Sequence, residues 1–360
     1  MDLFEMRGEP VRSRISGDVA LYLAAAFPLL LALILVLTLA LLSPAHASDA
    51  QKCDGSNILG SLQASDPARY EAVLDEGAGI VNGKGVFWKI EKPGLEPSWL
   101  MGTMHLTDPR VLSMPDAARR AWTASDTVIV ESDEILDEKK AAAALLAKPE
   151  LTMLLDGSTI TKLLSPQDVE RLEAGLKNRG ISLTLVSRMQ PWMISSFVSL
   201  PPCEITRKTQ GAAFLDKKIA EDAVAEGKHL VGLETMAEQL TAMAALPMEF
   251  HLKALIDTLE LGDRMNDVVE TMIQLYLAGD IGLTMPMLKT LTPPGEDADQ
   301  GYAAFEQRII IDRNKVMLDR SAPYFAKGKT FMAVGALHLP GEDGLVALLR
   351  KAGYTVTAED

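Results

Sequence analysis

Apolar and polar positions divide the chain into three kinds of segment. The first is a run of 24 uncharged residues, Val19 to Leu42, nearly all Leu, Ala, Val or Ile. A helix of that length can span a bilayer. Arg7, Arg12 and Arg14 precede the run, and the small-residue pattern Ser43-Pro44-Ala45-His46-Ala47-Ser48 follows it. This predicts a secretory signal peptide cleaved after Ala47, or an uncleaved membrane anchor, over residues 1–47. Either way residues 48–360 are exported, and the only membrane contact expected is through residues 19–42 if they are retained.

The second kind is a short apolar run that stops at a polar residue. Trp99-Leu100-Met101-Gly102-Thr103-Met104 stops at His105, and Thr127-Val128-Ile129-Val130 stops at Glu131. Leu230-Val231-Gly232-Leu233 stops at Glu234, and the run Thr330 to Leu337 stops at His338. Runs of this length suit strands buried on both faces, as in a parallel sheet. A further strand is predicted over Val86–Ile90, after a glycine-rich loop. The loop completes neither G-x-G-x-x-G nor a P-loop.

Helical patterns make up the third kind. Asp66 before Pro67 opens a short helix. Ser165-Pro166-Gln167-Asp168 opens another, which Gly180 closes. Two helical blocks, about 137–228 and 236–326, are read as insertions that pack over the sheet as a cap. The fold class is therefore α/β, with a mainly parallel central sheet flanked by helices. Open sheets of this kind bind ligands beyond the carboxyl ends of their strands. Those ends bring His105, Glu131, Glu234 and His338 to one edge.

Composition changes this picture in two places. The net charge of −14 falls only to −13 over the 313 residues after Ala47, which argues against a nucleic-acid partner. Both cysteines, Cys53 and Cys203, lie in the exported part. In an oxidising compartment they form one disulfide, the alternative being two free buried thiols.

Gly102-Thr103-Met104-His105 and Gly335-Ala336-Leu337-His338 share the pattern G-x-x-H, 233 residues apart. Glycine lets the backbone approach a ligand closely. Histidine can ligate a metal or act as a general base near neutral pH. Glu131, at the end of a buried strand, needs a cation or another partner. Glu234 is the same kind of residue, although Thr235 and Glu238 beside it also look like a helix start. Arg313 and Asn314 read locally as a helix-surface charge cluster. His229 reads as an exposed loop residue, His251 as helical. No H-E-x-x-H, G-x-S-x-G or C-x-x-C is present.

Together these segments resemble the TraB/PrgY/GumN family, which includes the Tiki proteases. The resemblance rests on Ser98 to His105, Val130-Glu131-Ser132-Asp133, Gly232-Leu233-Glu234-Thr235, Asp312-Arg313-Asn314 and Val334 to Gly341. Cys53-Asp54-Gly55 and Pro201-Pro202-Cys203 also look like bacterial exported members. The resemblance implies a fold like erythromycin esterase and the haem-binding lipoprotein ChaN. It implies a site of His105, Glu131 and His338, supported by Glu234, Arg313 and Asn314.

The expected function is an exported metal-dependent hydrolase acting on a peptide or small-molecule amide. A divalent cation (Mn, Co, Fe or Zn) on His105, His338 and Glu131 would activate water. Glu234, or a carboxylate oxygen not bound to the metal, is the candidate base and Arg313 the oxyanion partner. A metal-free variant would use His105 as general base. Two other readings stand beside it: a non-catalytic protein of the ChaN-like fold that binds haem or another ligand, and an accessory protein in exopolysaccharide export.

Overall fold

The computed structural model describes residues 53–291 and 296–359. The segment read as a signal peptide or anchor lies outside them. Among the described residues no helix is long and apolar enough to cross a membrane.

Asp66 accepts a hydrogen bond from the Arg69 amide and opens α1 (Pro67–Ala78). Strands β1 (Phe87–Glu91) and β2 (Ser98–Thr103) form an antiparallel pair. Helix α2 (Asp116–Ala124) then leads to β3 (Thr127–Val130). Between β3 and β4 (His229–Gly232) run α3 (Pro166–Asn178), α4 (Pro202–Thr209) and α5 (Leu215–Ala225), with shorter helical turns. Between β4 and β5 (Thr330–Gly335) run α6 (Met236–Ala244), α7 (Met248–Leu261), α8 (Arg264–Leu277) and α9 (Asp312–Phe325), among others. Helix α10 (Leu345–Lys351) and β6 (Thr355–Ala358) close the chain.

The six strands lie in the order β4-β3-β5-β2-β1-β6. The four strands β4, β3, β5 and β2 are parallel, and β1 and β6 are antiparallel to their neighbours. The sheet is thus mixed but mostly parallel, the α/β class the buried runs predict. Strands β2 and β3 are buried almost throughout because helices cover both faces. Strand β4 is only partly buried, since it lies at the sheet edge.

One face packs Phe87, Met101, Val128, Phe331 and Ala333 against α2, α5 and α8. The other packs Trp88, Ile90, Leu100, Ile129 and Met332 against α9 and α10. A separate cluster joins α3 to α7 through Leu172, Leu176, Leu252, Leu255 and Leu259.

Cys53 and Cys203 are disulfide-bonded, tying the start of the described chain to α4 across 150 residues. Such bonds persist in oxidising compartments. The chain-entropy account gives about 5 kcal/mol for a loop of that length, and such bonds typically deliver about 2–4 kcal/mol. The double variant Cys53→Ser/Cys203→Ser should lose that much in denaturant unfolding, and the parent denatured without reductant should show no free thiol. An unchanged midpoint would contradict a stabilising bond.

Candidate functional site

The four strand ends meet as their register requires. Met101 pairs with Ala333, Thr127 pairs with both Thr330 and His229, and so β2, β5, β3 and β4 end side by side. Glu131 leaves the end of β3 and is buried. Its Oε1 accepts the Gly335 amide at 2.7 Å. Its Oε2 accepts from Arg313 Nη2 at 2.6 Å and from Gln239 Nε2, on α6, at 3.0 Å. A side chain at position 335 would bring a Cβ within 3.0 Å of Glu131 Oε1. The glycine of the second G-x-x-H therefore clears the way for the carboxylate.

Arg313 and Asn314, neighbours on α9, reach different partners. Arg313 donates to both oxygens of Glu234, at 2.7 to 3.1 Å, as well as to Glu131. A π-helical stretch, Glu306–Ile311, runs into α9, and Arg313 Nη1 donates to the Ile309 carbonyl inside it. Such widened turns recur at functional sites. Asn314 is fully buried, donates through Nδ2 to the Asp343 carbonyl and presents Oδ1 to His338 Nδ1 at 2.7 Å.

That contact sets the state of His338. An amide oxygen only accepts, so Nδ1 carries the proton. Burial pushes His338 down to about 4, leaving a neutral imidazole at pH 7. Its Nε2 lone pair stands 3.7 Å from Glu131 Oε1, an acceptor facing an acceptor. Glu131 itself is anionic. Burial pushes it up, but His338 once protonated in acid, then His105, Arg313 and the Gly335 amide, overcome that and hold it near 2.

His105 is more than half exposed, and its Nδ1 lies 2.8 Å from Asp216 Oδ2. The Asp216 carboxylate raises His105 to about 9. The other oxygen of Asp216 accepts from Thr103 Oγ1 at 2.6 Å. Donor atoms of His105, Glu131 and Asp216 all lie within 4.8 Å of one another. The expected set of His105, Glu131 and His338 is thus joined by Asp216, with His338 adjoining through Glu131. Ser132 Oγ, next along from Glu131, is buried with no hydrogen-bond partner among the described residues. A cavity of about 200 Å³ opens here, lined by His105, Glu131, Ser132 and Asp216 among others. A larger one, about 410 Å³, lies beside Cys53 and Arg110, away from these strand ends.

Sequence reading passed over Asp216, Gln239 and Thr103. Asp216 had a signal: it shares a helical face with Ala220 and Ala223, which puts an acid among buried residues. Glu134 is buried and accepts the Met236 amide at the start of α6. His229 begins β4 and is exposed, and His251 is buried on α7 with Nε2 against the Met243 carbonyl. Neither joins the site.

A sequence profile described as the TraB/PrgY/gumN family matches residues 86–358. Metalloprotease TIKI2 of Danio rerio is 24% identical over 311 residues, 75% of this chain and 60% of that protein. A metalloprotease TIKI homolog of Nematostella vectensis is 25% identical over 324 residues, 76% of this chain and 67% of that protein. An uncharacterized protein, YbaP of Escherichia coli, is 24% identical over 264 residues, 72% of this chain and 90% of that protein. This chain thus spans about 60% of the length of the zebrafish protein. No solved structure matches it significantly.

Removing Arg313 strands two buried carboxylates. Arg313→Met should cost about 3–5 kcal/mol at pH 7, as for breaking a buried pair. In the parent, Glu131 is depressed from 4.5 to about 2, so its stabilisation is full above pH 4.5 and fades toward pH 2. The gap between parent and variant should therefore be widest at neutral pH and narrow below about pH 4. Urea unfolding across that range checks this, and a gap that widens with acid would contradict it.

Proposed function

The chain belongs to the TraB/PrgY/gumN family, and from that premise we propose that it is an exported, metal-dependent hydrolase that cleaves peptide amide bonds. One arrangement carries the proposal: His338, its Nδ1 committed to Asn314, presents Nε2 to Glu131 Oε1 at 3.7 Å, beside Asp216 and His105. Two lone pairs at 3.7 Å repel unless a cation lies between them. Charge supports the same reading. Glu131, Glu234 and Asp216 face one guanidinium and one protonated imidazole, which leaves one negative charge. A divalent cation that displaces the His105 proton brings the balance to zero.

His105, Glu131 and His338 are the proposed ligands, with Asp216 beside them. Mixed nitrogen and oxygen donors suit Mn, Co, Fe or Zn. The metal, when bound, supplies Lewis acidity and lowers the pKa of water. Asn314 fixes the His338 tautomer. Arg313 holds Glu131 in place, and Glu234, with both oxygens committed to Arg313, serves as its counter-ion. Glu131, near 2, is a poor proton acceptor at neutral pH. Asp216, which lines the cavity beside His105, is the proposed base. In the net reaction the water oxygen adds to the amide carbonyl as Asp216 takes one of its protons, the C–N bond breaks and the amine leaves with that proton. His105 as a metal-free base is disfavoured, because at about 9 it is already protonated. The 200 Å³ cavity is also smaller than the roughly 300–1,000 Å³ of pockets that enclose whole small molecules. This favours peptide chemistry over a bound haem. The disulfide supports an extracytoplasmic location.

Protein stripped of metal and reloaded with Mn²⁺ or Co²⁺ should cleave unstructured peptides. Glu131→Gln and His338→Ala should lower kcat/KM by at least ~100-fold, above the 10–100-fold typical of outer partners. Parent-like rates in both variants would overturn the assignment. Metal affinity should also rise about tenfold per pH unit up to about pH 9, as the His105 proton is expelled. Calorimetry in buffers of different ionisation enthalpy should give about one proton released per metal at pH 7. None released would remove His105 from the ligand set.

A further inference from the structure

The cavity at the strand ends has two kinds of lining. His105, Glu131 and Asp216, the groups assigned above to chemistry, form one together with the polar side chains of Ser132 and Gln239. Val130, Ile135, Phe214 and Met236, from β3, the turn after it, the residue before α5 and the first residue of α6, form the other. Phe214 stands edge-on to the His105 ring, with centroids 5.5 Å apart, so the apolar wall begins beside the site. No charged group lines the cavity beyond those of the site itself.

We propose that this apolar side is a specificity subsite, which takes one uncharged side chain of leucine, methionine or phenylalanine size from the residue next to the scissile bond. The inference rests on the hydrolase reading and names the class of peptide it acts on. Volume sets the size of the guest. The whole cavity, its donor groups included, measures about 200 Å³, which leaves room for one side chain of that size beside the scissile bond. Wall chemistry sets the polarity. A charged side chain entering here would shed its hydration and meet no counter-charge on the apolar side, whereas an apolar one gains by leaving water. The occupant is a substrate side chain because the same cavity reaches the donor cluster.

The test uses internally quenched peptides, varied one position at a time around the cleaved bond, with the Mn²⁺-loaded full chain. At one position Leu, Met or Phe should exceed Asp or Lys in kcat/KM by about 10–200-fold, the range for hydrophobic-pocket discrimination. Met236→Trp fills the cavity and should bring the ratio of Leu to Ala peptides toward one. Ile135→Ala enlarges it and should move the optimum toward Phe or Trp, a readout that survives if Met236→Trp fails to fold. A preference for charged residues at every position, or one unmoved in the folded variants, overturns the proposal. If no peptide is cleaved, the hydrolase reading has failed, and calorimetric titration with the same peptides decides the subsite alone. Tighter binding of Leu than Asp peptides upholds it, and equal or reversed binding overturns it.

Discussion

The burial of the Glu131 carboxylate at the end of β3 constrains everything around it. An ionised acid in the interior is tolerated only when charges and donors surround it. Here the surroundings come from four elements distant in sequence. Gly335 supplies an amide, α9 supplies Arg313, α6 supplies Gln239, and the turn after β5 supplies His338. Each needs its own support: Glu234 for Arg313 and Asn314 for His338. The parallel register that places β5 beside β3 also places the Gly335 amide on Glu131.

His105 depends on a different support. It is exposed, and the groups that hold its loop come from α4. Glu204, buried on that helix, accepts from both the amide and the hydroxyl of Thr107, and Lys208 donates to the His105 carbonyl. The same helix carries Cys203. The disulfide therefore fixes the helix on which the more exposed side of the site rests. This support is present only where disulfides form and persist.

The strand ends were legible because burial on both faces leaves a plain mark, an apolar run cut off by a polar residue. That mark gave β2, β3 and β5 and the residues at their ends. It was weaker for β4, whose edge position leaves it half-covered, so Glu234 competed with a helix-start reading. Both readings apply: Thr235 and Glu238 form a capping box directly after Glu234. Arg313 and Asn314 looked like surface charge, because one helical turn does not show which sheet it will face. Only the resemblance to known sequences singled them out. Asp216 was missed because an acid in the first turn of a helix usually serves the helix dipole. The phase of its apolar face, shared with Ala220 and Ala223, was the available clue.

The central claim is that the carboxylates and imidazoles around Glu131 exist to hold a divalent cation. Anomalous diffraction from crystals soaked in Mn²⁺ tests it directly. A single strong peak within bonding distance of Glu131 and His338, absent in Glu131→Gln crystals, is the predicted result. A site that stays free of anomalous density at saturating Mn²⁺, Co²⁺ and Zn²⁺ would contradict it.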